Sequence, residues 1–321
     1  MENEFPKTLQ EAIIYFSNPD VALRFMVQIR WPNGIYCPRC FSQQYSFLTT
    51  RRVWKCKTCK KQFTVKLGTI MEDSPIGLDK WLCAMWMICG AKNGISSYEI
   101  HRALGITQKS AWFLLHRLRA AMQSGDFTKL SGDVEIDETF IGGKARNMHK
   151  SVIRKKGLRN ASGNFSDTKV AVMGLLERKG NVRLRVVADT MRSTLDPHIQ
   201  ENVERGSNVY TDYAPAYSHL NDANAFTHAV INHAEEYVRG NVHTNGIENF
   251  WSLLKRMLRG TYVSVEPYHL FRYLDEQSFR FNNRKGTDQS RFMKAALNIA
   301  DKRLTYKQLT GKEPKGDTTS H

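Results

Sequence analysis

The chain has 321 residues, 41% of them hydrophobic, enough for two or three domains with a sizeable core. Its 47 Lys and Arg against 31 Asp and Glu give a net charge of +16, which predicts a polyanionic partner, with nucleic acid ahead of a membrane surface. Six cysteines without a visible secretion signal exclude a disulfide scaffold and predict an intracellular protein with reduced thiols.

Residues 1–30 read as an N-terminal helical segment, and residues 31–68 as a zinc ribbon. Four cysteines there form two CxxC pairs, Cys37 with Cys40 and Cys56 with Cys59, with fifteen residues between the pairs. Each pair sets two thiolates on one side of a tight turn, and two such turns facing each other make the tetrahedral sulfur site that one structural Zn²⁺ prefers. The stretch between them has too little apolar content to fold alone, so the metal supplies much of its stability. From Cys37 to Lys66 there is no acid, while Arg39, Arg51, Arg52, Lys55, Lys57, Lys60, Lys61 and Lys66 make the ribbon strongly basic. Such a surface can grip phosphates.

Residues 69–125 read as a helical DNA-binding domain. The run Trp81–Ala91 is about half the length needed to cross a bilayer, so it is expected to be a buried helix with Cys83 and Cys89 as small core residues. Next, Ser96 with Glu99 starts a capped helix, Gly105 breaks it, and Thr107 caps another. In the second helix Ala111, Leu114, Leu115 and Leu118 share a face, leaving Lys109, Arg117 and Arg119 as candidate DNA contacts. Two helices joined by a short glycine turn match a helix-turn-helix.

Residues 126–285 change to an alternating pattern. Strands are expected at Asp133–Gly143, Lys169–Arg178 and Asn181–Asp189, then a helix, a short strand ending at Asp212, and a helix through "HTNGIENFWSLLKR" to about Leu258. That order predicts an α/β domain with a mixed sheet. Between the first two strands, residues 144–166 hold seven Lys or Arg and no acid, and are expected to be a mobile basic loop. Lys144, Lys150, Arg154, Lys155 and Lys156 are its candidate DNA contacts.

Three carboxylates stand out. Asp137 sits in an apolar strand, Asp212 ends another, and Glu248 opens a helix. A carboxylate in such a strand is costly unless it is paired or binds a cation. Glu135 and Glu138 are alternatives to Asp137, and Glu235 and Glu236 to Glu248. At 100° per residue, Glu248, Ser252, Lys255 and Arg259 fall within about 60° of one another, opposite Phe250, Leu254, Met257 and Leu258. Arg256 and Arg259 add candidate DNA contacts on this helix. His243 and Asn245 are placed to support Glu248, although Asn245 also suits a helix cap. Trp251 falls at the edge of the two faces, where core packing is favoured over base stacking. Three carboxylates from separate elements can hold two Mg²⁺ or Mn²⁺ ions, as in-line phosphodiester chemistry requires.

A strand Asp, a second Asp and a Glu after 35 intervening residues resemble the DDE transposase and retroviral integrase superfamily, whose catalytic domain is RNase H-like. Closer still is the resemblance to bacterial insertion-sequence transposases with an N-terminal zinc ribbon. It rests on "CPRC…CKTC", "IDETFIGGK", "YTDYAPAY", "HTNGIENFWSLLKR", "RGTY" and "HLFRYLDEQSFRFNNR", and covers roughly residues 30 to 285. It implies Asp137, Asp212 and Glu248 as ligands of the divalent ions and Lys255 as a catalytic companion beside the scissile phosphate. It further implies cleavage of the inverted-repeat ends of an element, strand transfer into target DNA, and a homodimer or higher synaptic assembly in the bacterial cytoplasm at the nucleoid. A catalytically silent DNA-binding regulator and a nuclease without strand transfer are the competing readings. Residues 286–321 are expected to be a C-terminal helix and tail.

Overall fold

The structure, a computed structural model, describes residues 4–123, 125, 128–143, 149–155, 169–221, 225–231 and 242–312. The described residues up to Gln123, together with those from Asn283 to Lys312, form one compact unit, and the described residues between them form a second. No helix among the described residues is long and apolar enough to cross a membrane.

The first unit begins with α1 (Leu9–Ser17) and α2 (Pro19–Arg30). Thr8 and Glu11 form a capping box on α1, and Asn18 accepts from the amides of Asp20 and Val21 to start α2. The ribbon follows as an antiparallel sheet of β1 (Tyr45–Leu48), β2 (Val53–Cys56) and β3 (Gln62–Phe63). Trp54 of β2 packs edge-on against Trp31 and stacks on Phe63, giving the ribbon a small aromatic core. Helix α3 (Leu78–Gly90) is apolar around its circumference and buried accordingly, Cys83 and Cys89 included.

The pair α4 (Ser97–Leu104) and α5 (Gln108–Met122) forms as its caps dictate. Ser96 and Glu99 make the capping box, Gly105 turns left-handed at φ 59°, and Thr107 accepts from the Ser110 amide. Arg117 and Arg119, however, are not offered to DNA. Arg117 is 5% exposed and donates to the carbonyls of Leu304 and Glu72, and Arg119 is 1% exposed. A helical wheel assumes one open face, whereas α3, α4 and a later helix all close around α5. Lys109 stays exposed, with its ammonium over the Tyr306 ring.

The second unit contains β4 (Asp133–Ile141), α6 (Lys150–Lys155), β5 (Val170–Glu177), β6 (Val182–Val187), α7 (Arg192–Asn202), β7 (Asn208–Asp212), β8 (Thr227–Ile231), α8 (Asn245–Met257) and α9 (Leu270–Asn282). Its five strands run in the order β6-β5-β4-β7-β8, the first three antiparallel and β7 and β8 parallel to β4. The mixed sheet is as the sequence predicts, except that β8 goes unannounced: it is short, and four of its five residues are at least partly exposed, so it lacks a buried alternating face. Strand alternation gives each face its own layer. Val134, Ile136, Met173 and Val209 pack with Leu195 and Ile199 of α7. Val172 and Leu176 pack with Ile247, Phe250 and Leu254 of α8 and with Leu270 of α9.

The chain then returns to the first unit through α10 (Asp288–Leu297) and α11 (Tyr306–Leu309). Phe292 of α10 fills the space among Phe16, Phe25 and Trp86. The expected C-terminal helix is thus α10, and it belongs to the first unit's core, which extends to Leu309.

Candidate active site

Two of the three carboxylates are brought together by sheet register. Strand β4 pairs with β7 in parallel, Asp133 level with Asn208 and Glu135 with Tyr210, a constant offset of 75. Carried two residues beyond the paired stretch, the same offset matches Asp137 with Asp212 on the neighbouring strand and on the same face, and the Asp212 charge acts on Asp137. Adjacent strands lie about 4.8 Å apart, so the two carboxylates are near neighbours.

Helix α8 lies on that face and contributes the third. Glu248 is exposed in its first turn, and the buried Thr244 hydroxyl donates to Glu248 Oε1 at 3.2 Å. One turn on, Trp251 is buried against the sheet, and its indole N–H donates to Asp137 Oδ2 at 2.9 Å. Gly174, opposite Asp137 on β5, makes room for the indole: a Cβ there would lie 2.6 Å from the Trp251 ring. Lys255 is half-buried, while Arg256 and Arg259 are exposed.

The alternatives to Asp137 have other work. Glu135 shares its face but is 1% exposed, accepting from the Ile247 amide at 2.9 Å and pairing with Arg178 at 2.8 Å. It thus satisfies a free amide at the positive end of α8. His243, expected beside Glu248, lies 3.4 Å from Glu135 instead. Asn245 is the first helical residue, exposed, with Thr244 in the cap position. Glu138 points to the other face, where the Tyr217 hydroxyl donates to it. Glu235 and Glu236 lie outside the described residues, as do Lys144, Lys156 and the side chain of Lys155. Lys150 and Arg154 are exposed on the short helix α6, which occupies part of the segment read as a loop.

Burial pushes the Asp137 carboxyl up to about 6, the Trp251 hydrogen bond opposes that, and the charges of Asp212 and Glu248 raise it further. Asp137 therefore feels the charges of both other acids. An all-oxygen anionic set of this kind suits a hard divalent cation, which relieves the mutual repulsion. The set is open: among the described residues, the four ribbon cysteines are the one group of three or more Cys, His, Asp or Glu ligand atoms within 4.8 Å of one another.

In the ribbon, Cys37 Sγ lies 3.7 Å from Cys59 Sγ and Cys40 Sγ 3.6 Å from Cys56 Sγ. Four sulfurs about 2.3 Å from a tetrahedral zinc are about 3.8 Å apart, so the cluster fits one Zn²⁺. Both knuckles end in a left-handed residue, Phe41 at φ 58° and Lys60 at φ 62°, so each turn returns its second thiol inward. The Cys59 amide donates to Cys56 Sγ at 3.4 Å, and this chiefly holds the Cys56 thiol down, to about 6. Of the ribbon's cations, Lys66 turns inward to the carbonyls of Ser74 and Ile76, and Arg52 pairs with Asp20.

Sequence reasoning left Trp251 without a polar role and passed over Gly174 and Thr244. The signal for the first two was the pairing of an indole with a glycine inside a strand, which marks a close approach. Tyr213, directly after Asp212, is 76% exposed at the end of β7 and also went unassigned.

Residues 129–282 match the family described as the ISXO2-like transposase domain, and residues 17–62 match the transposase zinc-ribbon domain. A protein of Halobacterium salinarum, described as an uncharacterized protein in transposable element ISH50, is 30% identical over 245 residues, covering 74% of this chain and 82% of its own length. An uncharacterized transposase-like protein of Haemophilus influenzae is 37% identical over 109 residues, 34% of this chain and 87% of that one.

Proposed function

Because the chain belongs to the family of insertion-sequence transposases with an N-terminal zinc ribbon, we propose that it binds the terminal inverted repeats of its element and catalyses metal-dependent strand cleavage and strand transfer. The observation that supports this reading is the charge of both Asp212 and Glu248 acting on Asp137, with Glu248 on the helix whose Trp251 reaches that carboxylate.

Asp137, Asp212 and Glu248 would hold two Mg²⁺ or Mn²⁺ ions, which supply activation of the attacking oxygen and stabilisation of the leaving oxygen. Trp251 and Thr244 keep two of these carboxylates in orientation. Lys255, two turns beyond Glu248 on one helix face, neutralises charge on the attacked phosphate. Hydrolysis of a phosphodiester frees a 3′-OH, and that hydroxyl attacks target DNA in a second in-line displacement. The two-layered mixed sheet serves as the RNase H-like scaffold implied by the resemblance. The α4–α5 pair acts as a helix-turn-helix that meets DNA through Lys109 at the start of α5, where recognition helices read base edges. The ribbon adds Arg39, Arg51, Lys55, Lys57, Lys60 and Lys61, all exposed, as phosphate contacts. Two element ends require a dimer or larger assembly, at the nucleoid.

The test is cleavage of the element's end sequences with Mg²⁺ or Mn²⁺. Glu248→Gln should abolish cutting and leave end binding intact, and unchanged cleavage by that variant overturns the assignment. Lys255→Ala should lose cleavage while metal binding persists. A pre-cut end should be joined to target DNA, and absence of joined product reduces the reaction to hydrolysis.

A further inference from the structure

Beyond α8 the backbone widens into a π-helix, Leu258–Tyr262, and then turns at Val263 with φ 60° and ψ −56°. The Ser264 amide donates to the Tyr262 carbonyl at 2.6 Å, closing a three-residue turn around Val263. A β-branched residue at positive φ is a genuine outlier. Packing does not compensate for it, because the Val263 side chain is 79% exposed.

The turn is held from behind. The Tyr262 hydroxyl donates to Glu276 Oε1 at 2.5 Å, and its ring meets Tyr273 edge-on at 4.7 Å. Glu276 is itself fully buried and ion-paired with Arg280, so the anchor is rigid. Strain persists only where the surroundings over-determine it, and it concentrates at functional sites. The motifs "RGTY" and "FRYLDEQSFR" thus combine to present one strained apolar side chain to solvent.

We propose that Val263 is a wedge that enters duplex DNA between two base pairs several steps along from the cleaved phosphate, with Arg256 and Arg259 gripping the phosphates between. The proposal rests on the transposase reading above. Val263 follows directly on α8 and its π-helical extension, so it stands beyond Arg259 at the end of the element that carries Glu248 and Lys255. At about 1.5 Å per residue along α8, and somewhat less through the wider π turn, fifteen residues from Glu248 put it about 20 Å away, roughly six base-pair steps of 3.4 Å. Arg256 and Arg259, both exposed between Glu248 and Val263, supply the charge that draws the polyanion to such a wedge. Apolar side chains inserted at a base step unstack it and kink the duplex, and the bend lets the DNA follow more of the protein surface.

The experiment uses the full chain and duplexes carrying the ends of the DNA element around its gene. A fluorescent base analogue is placed at each step about four to eight base pairs from the cleaved phosphate, bracketing the helix-length estimate. Binding of the wild-type chain without Mg²⁺ should brighten one or two of these positions. Val263→Gly and Val263→Ser should bind without brightening them, while Val263→Ile keeps the signal. Glycine accepts the positive φ, so loss of signal in Val263→Gly is not loss of fold. With Mg²⁺, Val263→Ser should cleave paired DNA about tenfold more slowly and return to near the wild-type rate when the step is mismatched, since unstacking is then already done. Wild-type binding and cleavage with no brightened position overturns the wedge, as does normal cleavage of paired DNA by both variants. A wild-type chain that neither binds nor cleaves these ends overturns the transposase reading and the wedge together.

Discussion

The Trp251 indole N–H reaches Asp137 Oδ2 at 2.9 Å because residue 174, across the β4–β5 ladder from Asp137, has no side chain. Three elements thereby fix one carboxylate: β4 carries it, α8 orients it, and β5 leaves the space.

Removing the donor while keeping an aromatic side chain tests that arrangement. Trp251→Phe should lower cleavage about tenfold or more and raise the Mg²⁺ requirement, with end binding unchanged, since loss of a partner that orients a metal ligand costs 10–100-fold. Gly174→Ala should do the same by displacing the ring, and overpacking adds a stability loss of about 1–3 kcal/mol. Equal Mg²⁺ titrations for wild type and Trp251→Phe would show that the hydrogen bond does not orient Asp137.

Glu135 and Asp137, two residues apart on one face, should respond in opposite ways. Glu135→Ala leaves Arg178 without its buried partner and a helix amide unsatisfied, and should cost about 3–5 kcal/mol in denaturant unfolding. Asp137→Asn removes a carboxylate that its neighbours disfavour, so the metal-free protein should be no less stable. A larger loss from Asp137→Asn than from Glu135→Ala would reverse the roles assigned to them.

Glu138 gives a pH signature. Burial first, then the charges of Asp137 and Asp212, push its carboxyl from 4.5 up to about 8. The unfolded chain ionises this group from about pH 4.5 upward and the folded chain only near 8, so stability is lost as pH rises between those values. Glu138→Gln should therefore raise the melting temperature at pH 8.5 and make little difference at pH 4. Melting curves whose gap stays constant across that range would rule this out.

The ribbon should hold one zinc per chain by atomic emission. Cys56→Ser should lose it, whereas Cys83→Ser and Cys89→Ser, in α3, should keep it. Stripping the metal should melt the ribbon and shift tryptophan emission to the red, because Trp31 and Trp54 are buried in its aromatic core. End binding should fall with it. Full zinc content in Cys56→Ser would place the metal elsewhere.

The sequence by itself determined what is local. The CxxC spacing, the capping boxes at Thr8 and Ser96, the Gly105 stop and the amphipathic α8 are each set within a few residues, where turn geometry and orphan amides leave few options. It also marked Asp137, Asp212 and Glu248 as the residues to watch. Only the tertiary structure decided what lies between distant segments. The pairing of β4 with β7 that brings Asp212 within electrostatic reach of Asp137, the diversion of Glu135 to the start of α8 and of Glu138 to the opposite face, and the space Gly174 leaves for Trp251 all depend on strand register and layer packing. So does the burial of Arg117 and Arg119, which a helical wheel leaves open and which three packed helices close. Local signals fix which way a side chain faces along its own element. What meets it there is fixed by elements far along the chain, and their register is chosen by burial and hydrogen bonding over the whole unit.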